Sequence, residues 1–310
     1  MNSNLILTDR PPLWGSQPNW PSLPFAEWES TCDTVHMWTQ IVGKTRMTLS
    51  APQNHWWHVP LYVTPRGLNT SAIPFGKRTF DVEFDFVAHQ AAIRTSAGDG
   101  RSIPLYPRSV ADFYSEYMAC LRSLGIEVEI DLAPQEFDDP TPFDRDRHHA
   151  SYDTEYVERF RRVLVQTDQV LKQFRSRYIG KCSPVHFFWG SFDLAVTRFN
   201  GERCPPPAQT NPIMAEAYSH QVISHGFWPG DRKFPHPSFY AYAVPAPTGF
   251  EKEPVHPGAW DPKLGEFILK YEAIREDTQP EQGILDFYQS TYEAGAKPAQ
   301  WDREALECSK

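Results

Sequence analysis

Phe80, Val82, Phe84 and Phe86 alternate with Asp81, Glu83 and Asp85. A period of two places one face of a strand in a core and the other in water or along a cleft. Elsewhere the period changes to three and four. Val35, Trp38, Val42, Thr45 and Leu49 predict a helix from about Trp28 to Leu49. Gly43 either weakens its middle or admits a close neighbour. "HVPLYV" (58–63) reads as a strand, and "AAIRTS" with "SIPLY" (91–106) as a hairpin. A helix over 110–124 is stopped by Gly125, and "IEVEI" (126–130) returns as a strand.

The polar, Pro-containing stretch 133–152 reads as a connection between halves. Val157, Phe160, Leu164, Thr167, Leu171, Phe174 and Tyr178 then keep the helical spacing of a long amphipathic helix. "VHFFWG" (185–190) and "FDLAVTRF" (192–199) follow as hairpin partners. After a loop over 201–212, "MAEAYSHQVI" (214–223) is expected to be a short helix and "FYAYAV" (239–244) a strand, with helices over 264–275 and 281–295 closing the chain. Val59, Leu61, Val63 and Leu68 lie 126 positions before Val185, Phe187, Trp189 and Leu194. The expectation is therefore α+β: antiparallel sheets with packed long helices and room for a pseudo-twofold repeat of an α-β-β-β-α unit. The expected divisions are an extended lead-in (1–25), a first half (26–132), the connection (133–152) and a second half (153–310) packed on the first as one body.

Composition narrows the class. With 20 Phe, 13 Tyr and 10 Trp in 310 residues, the chain has too much aromatic bulk to remain disordered. Apolar runs are too short to cross a bilayer, so no membrane association is expected. The N-terminus lacks the basic leader and cleavage site of a secretory signal, which points to the cytoplasm. Five scattered cysteines without a CxxC pair argue against a disulfide framework and a Cys-only zinc site. A net charge of −9 repels phosphate backbones. "RFRRVL" (159–164), flanked by Glu155 and Glu158, reads as a solvated helix face, so no nucleic-acid partner is expected. GxxxxGK[ST], GxGxxG and GxSxG are all absent.

Candidate chemistry concentrates in three stretches. In the 185–199 hairpin, strand alternation puts His186, Asp193 and Thr197 on one face, with Arg198 on the other. His186 is then either satisfied within a packed sheet or part of a site. In "EAYSHQVISHGFWPG" (216–230), Glu216 and His220 lie one helical turn apart, with His225 beyond. They could ligate a metal together with His186, or form an ordinary i,i+4 pair. In "NHWWHVP" (54–60), His55 and His58 flank two tryptophans that suit ligand stacking or a wet core edge equally well. Arg66 and Arg198 could each clamp a carboxylate or phosphate, or pair internally with Asp81, Glu83 or Asp85.

Six ordered motifs, "WTQIVGK", "HWWHVPLYVTPRGL", "HFFWGSFDLAVTRF", "EAYSHQVISHGFWPG", "FYAYAV" and "LGEFILKYEAIR", resemble an uncharacterised bacterial family classed as a domain of unknown function, over about Trp20 to Trp301. The resemblance brings no activity with it. It implies that His186, Trp189, Ser191, Asp193, Arg198, Glu216, Ser219, His220, Trp228 and Tyr240 are the distinctive positions. It departs from the pattern at Lys270, where a proline is expected, and at Glu202, where basic character is expected.

Three functions compete. One is a binding pocket for a small polar or anionic metabolite, walled by Trp189, Phe227, Trp228 and Tyr240 with Ser191 and Arg198, and with His58 and Arg66 as further contacts. Another is a hydrolase- or isomerase-type enzyme with His186 or His220 as base and Asp193 or Glu216 orienting it, with or without a metal. The last is a structural or partner-binding module. The density of His, Ser, Asp and Arg in the most aromatic segments weighs against the last, because each such group must be satisfied in a core. Cofactor and oligomeric state are left open.

Overall fold

Helix α1, Phe25–Leu49, is buried almost all the way round from Thr31 to Arg46. Its apolar stripe lies where the spacing predicts, and Trp38 stacks on Phe113 at 4.9 Å. Its threonines bond back within their own helix, Thr34 to Ser30 O (2.8 Å) and Thr45 to Ile41 O (3.1 Å), so they enter the interior satisfied. A computed structural model describes residues 19–205 and 212–308. The start of the expected lead-in, and part of the expected 201–212 loop, lie outside the described residues.

Around α1 the chain builds two antiparallel sheets and seven helices among the described residues, an α+β fold. The first sheet holds β1 (Tyr62–Thr64), β2 (Gly67–Asn69), β3 (Ile73–Phe75), β4 (Arg78–Asp85), β5 (Gln90–Thr95) and β6 (Gly100–Pro104). Its order is β1-β2-β4-β5-β6, with β3 also on β4. The alternation in β4 resolves as its period requires: Phe80, Val82 and Phe84 are buried, while Asp81 and Glu83 bind Arg94 of β5 at 2.6 and 2.9 Å. That polar face is a half-exposed ion-pair ladder. Helix α2 (Val110–Ser123) starts at Ser109, whose hydroxyl accepts from the Asp112 amide.

Helix α3 (Thr154–Arg175), capped by Asp153, leads into the second half. Its sheet contains β7 (His186–Phe188), β8 (Asp193–Arg203), β9 (His220–Trp228), β10 (Ser238–Val244), β11 (Ala259–Asp261) and β12 (Glu266–Lys270), ordered β11-β12-β10-β9-β8-β7. The short α4 (Pro212–Ala217) precedes β9, and α5 (Tyr271–Ile274), α6 (Pro280–Ala296) and α7 (Arg303–Leu306) follow β12. Helices α3 and α6 cover the back of this sheet, against β8, β9 and β10. No helix of the described residues is long and apolar enough to cross a membrane.

Three element expectations are corrected. Residues 126–130 form no strand; Ile126 and Ile130 are buried, but their backbone finds no ladder partner. The helix expected over 214–223 ends at Ala217, and His220 begins β9. The helix expected from 264 is instead β12, with only Tyr271–Ile274 helical. In the last two cases a short apolar run fits either period, and pairing with β10 decides.

The sheets meet where Leu61 and Phe187 exchange both backbone hydrogen bonds, at 2.9 and 2.8 Å. These are also two of the positions 126 residues apart in the sequence comparison. The strand orders of the two sheets differ, however, so topology does not establish an internal repeat.

Gly43 is a place of close approach between α1 and the turn after β7. The Trp189 indole lies on it, in the space a Cβ would occupy, and donates from Nε1 to Val59 O at 2.9 Å. Gly43→Ala would gain about 1 kcal/mol of helix propensity but overpack this contact, at a cost of roughly 1–3 kcal/mol. We expect a lower urea midpoint together with altered tryptophan emission; an unchanged or raised midpoint would mean the indole moves aside freely.

Candidate functional site

The front of the second sheet is not packed flat against helices as the back is; α1 and α4 stand over it across a gap. Strand alternation and register bring a polar set to it: Asp193, Ala195 and Thr197 on β8, Ser224 and Gly226 on β9, Tyr240 and Tyr242 on β10, Glu266 on β12. They face a cavity of about 590 Å³. Its other walls come from α1, the 135–138 segment, the 55–57 turn, Tyr218 after α4, and the loop after Trp228.

Helix α1 holds the roof through buried polar side chains spaced along one flank. His36 Nε2 lies 2.9 Å from both Trp189 O and Gly190 O, a geometry in which it donates. Gln40 pairs with the backbone of Gln135, donating to its carbonyl (2.8 Å) and accepting from its amide (2.7 Å). Lys44 binds Asp131 (2.8 Å) and Ala133 O (2.5 Å). These contacts fix Glu136 in the left-handed region (φ 50°), a conformation costing a non-glycine residue on the order of 1 kcal/mol or more. Its carboxyl lies beside Gly190.

Asp193 is the centre. It is only 8% exposed, its carboxylate accepts from the Ser191 hydroxyl and the Tyr240 phenol, and it makes no ion pair among the described residues. Tyr240 reaches it by lying across Gly226, whose missing Cβ would overlap the phenol oxygen and Leu194 O. Burial pushes the Asp193 carboxyl up from its ordinary range, and the two hydrogen bonds pull it partly back. Burial and then the neighbouring Asp193 raise Glu136, and the same two causes push Glu266 up to about 7. A second polar chain runs alongside: Thr197 to Ser224 at 3.0 Å and Tyr218 to Tyr242 at 2.9 Å. Tyr240 and Tyr242 stack at 6.0 Å.

The structure brings together Trp189, Ser191, Asp193, Trp228 and Tyr240 from the sequence candidates, with Thr197 and His55 beside them. The other candidates lie elsewhere. His186 shares the front face but sits behind the cavity wall among Trp57, Tyr62 and Phe188, and neither ring nitrogen has a hydrogen-bond partner. Arg198 faces the back, as alternation requires, with its guanidinium 3.6 Å from the Phe174 ring and 4.4 Å from that of Tyr292. It cannot clamp a ligand at the front. Phe227 is likewise on the back, wholly buried. Glu216 is exposed on α4, while His220, displaced from the expected helix onto β9, contacts His55 at 5.4 Å. His58 accepts from the Gln53 amide at 3.2 Å, and Arg66 pairs with Asp85 at 2.7 Å on the first sheet. The expected His–carboxylate pairs therefore do not form. Nor do His186, Glu216, His220 and His225 converge: among the described residues, no group of three or more His, Cys, Asp or Glu is placed to hold a metal.

Sequence reasoning missed Glu136, Tyr242, Glu266 and His36. Tyr242 shares the alternation of Tyr240 and was legible there. Glu266 was hidden by its assignment to a helix, and Glu136 by the irregular backbone around it.

The chain belongs to a family of unknown function, DUF5996, whose model matches residues 20–308. No curated protein and no solved structure matches it.

Burial holds His186 neutral, lowering its pKa to about 3, and His36 to about 4. Because the unfolded chain takes up the proton first, stability falls as pH drops below 6.5, by ~1.4 kcal/mol per pH unit for each such histidine. His186→Phe should remove that share between about pH 6 and 4, read as a shallower pH dependence in urea unfolding. An unchanged slope would mean His186 is already protonated in the folded protein.

Proposed function

We propose that the front of the second sheet binds a small polar metabolite. The observation that carries this reading is a carboxylate nearly sealed from water, without a counter-ion among the described residues, at the bottom of a cavity large enough for a metabolite. A purely structural module has no use for such a group, because an unpaired buried charge costs several kcal/mol. Trp228 and the stacked tyrosines supply apolar contact, and the hydroxyls of Ser224, Thr197 and Tyr218 supply orientation. The scattered free cysteines fit our placement of the protein in the cytoplasm.

A catalytic reading rests on one observation, the neighbourhood of Glu266. A carboxyl titrating at about 7 beside phenols can exchange protons near neutral pH. That chemistry would use Glu266 and Asp193 in place of a histidine.

A metabolite thermal-shift screen tests the binding reading. A ligand at 100 times its Kd adds about 2.7 kcal/mol of stability, and Tyr240→Phe should reduce that gain by freeing Asp193 from its fixed orientation. The unliganded protein carries the opposite sign. A carboxyl whose pKa is raised on folding costs stability as pH rises through its unfolded value, so Asp193→Asn should unfold at equal or higher urea than wild type at pH 7.5. Marked destabilisation by this substitution, with no ligand found, would make Asp193 a structural partner of Tyr240 and remove the binding reading.

A further inference from the structure

The balance of charge and of hydrogen-bonding groups in the cavity narrows what can occupy it. Asp193 uses two of about four acceptor positions on its carboxylate, both for neutral hydroxyls. Glu136 and Glu266 are near enough for the Asp193 charge to raise both their pKa values. The phenol proton of Tyr240 is already committed to Asp193. Around Asp193 the interior is therefore rich in acceptors, while the free donors of the lining are neutral hydroxyls and the Trp56 indole, none of which offsets a carboxylate charge.

The cations of the lining offer no compensation. Arg232 is held by Asp33 and Glu29 at 2.5 and 2.7 Å, and Lys233 by Asp138 at 2.8 Å, all at the rim. His36, the histidine nearest the roof, is kept neutral by burial. Arg198, the one deeply buried guanidinium of β8, is on the far side of the sheet. An anion entering beside Asp193 would meet three carboxyl groups. Lys181, which no carboxylate of the described residues pairs, is not part of the lining but stands behind it, 2.6 Å from His55 and over the Phe199 ring. A neutral polyol would leave the Asp193 charge as it is.

Aromatic surface completes the set. Tyr240 and Tyr242 present stacked rings beside the carboxylates, and Trp228 and Phe188 flank them. Ring faces attract ammonium and guanidinium groups, most strongly where water is excluded. A bare divalent ion fits less well, since among the described residues no group of three or more carboxylates or other metal-binding side chains is placed to hold a metal.

We infer that the occupant is a small organic cation, a protonated amine or guanidine whose N–H groups reach Asp193 and Glu266 and whose carbon body packs on Tyr240, Tyr242 and Trp228. This rests on the binding reading above and names its ligand class. Glu136, the exposed member of the three carboxyls, adds to the negative charge of the cavity from its solvent side.

The test uses the full-length protein in calorimetry and thermal shift at constant ionic strength, since screening would otherwise blur charge effects. One set of probes varies charge on a single frame: phenethylamine, phenethyl alcohol and phenylacetate. Putrescine, agmatine and tetramethylammonium vary the cation, and calcium and magnesium chloride stand for simple ions. We expect amines or guanidines to bind, with the alcohol and the acid at least ten-fold weaker. Glu266→Gln and Glu136→Gln should each weaken binding about ten-fold. Both residues are partly solvent-accessible, so these variants keep the test open even where Asp193→Asn fails to fold. Phenylacetate or the alcohol binding as tightly as the amine, metal ions alone binding, or amines binding the Gln variants unchanged would each overturn the cation inference and leave the binding reading standing. Silence across the whole panel would overturn both.

Discussion

The arrangement hangs on the polar flank of α1. His36, Gln40 and Lys44 are buried side chains of a helix, and each spends its hydrogen bonds on backbone from elsewhere in the chain: the 189–190 turn, Gln135, and Ala133. A buried polar group left unpaired costs about 1–3 kcal/mol, so each of these contacts locks both partners. The segment around Glu136 has no secondary structure of its own, yet it is held firmly enough to keep a non-glycine residue at positive φ. Without α1 there would be a sheet with an open polar face, and no cavity.

That cavity stands in tension with stability. The back of the second sheet is a conventional core in which α3 and α6 cover Leu194, Val196, Phe227 and Phe239. The front gathers carboxyls, with burial raising Asp193 and both burial and the Asp193 charge raising Glu136 and Glu266, and phenols that are also pushed up by burial. A fold selected only for stability would replace Asp193 with an uncharged residue. Its place beside Gly226, a glycine whose absent side chain lets Tyr240 pass, is the geometry on which our binding proposal rests.

The histidines teach the converse. His186 and His225 look like chemistry in the sequence and turn out to be packed among aromatic rings on opposite faces of one sheet. A neutral imidazole is flat and compact enough to serve as a core ring, at the price of acid sensitivity. Carboxylates have no such use, and it is the carboxylates that converge.

What the amino-acid sequence by itself determined is everything with a period. The α+β class, the long helices α1, α3 and α6, the β4 and β7–β8 alternations, and hence the facing of Asp193 and Thr197 opposite Arg198, follow from side chains repeating every two or every 3.6 residues. At Gly43 the sequence left a weakened helix and a close neighbour equally open, and the Trp189 indole decided for the neighbour. Tertiary structure decided the rest. Short apolar runs such as 266–270 became strands because a neighbour offered a ladder, and Glu136 reached Asp193 because α1 pulled an aperiodic segment across the sheet. Periodicity reports which way a side chain points within its own element. The meeting of residues from four strands, a helix and a loop depends on long-range packing, which no local pattern encodes.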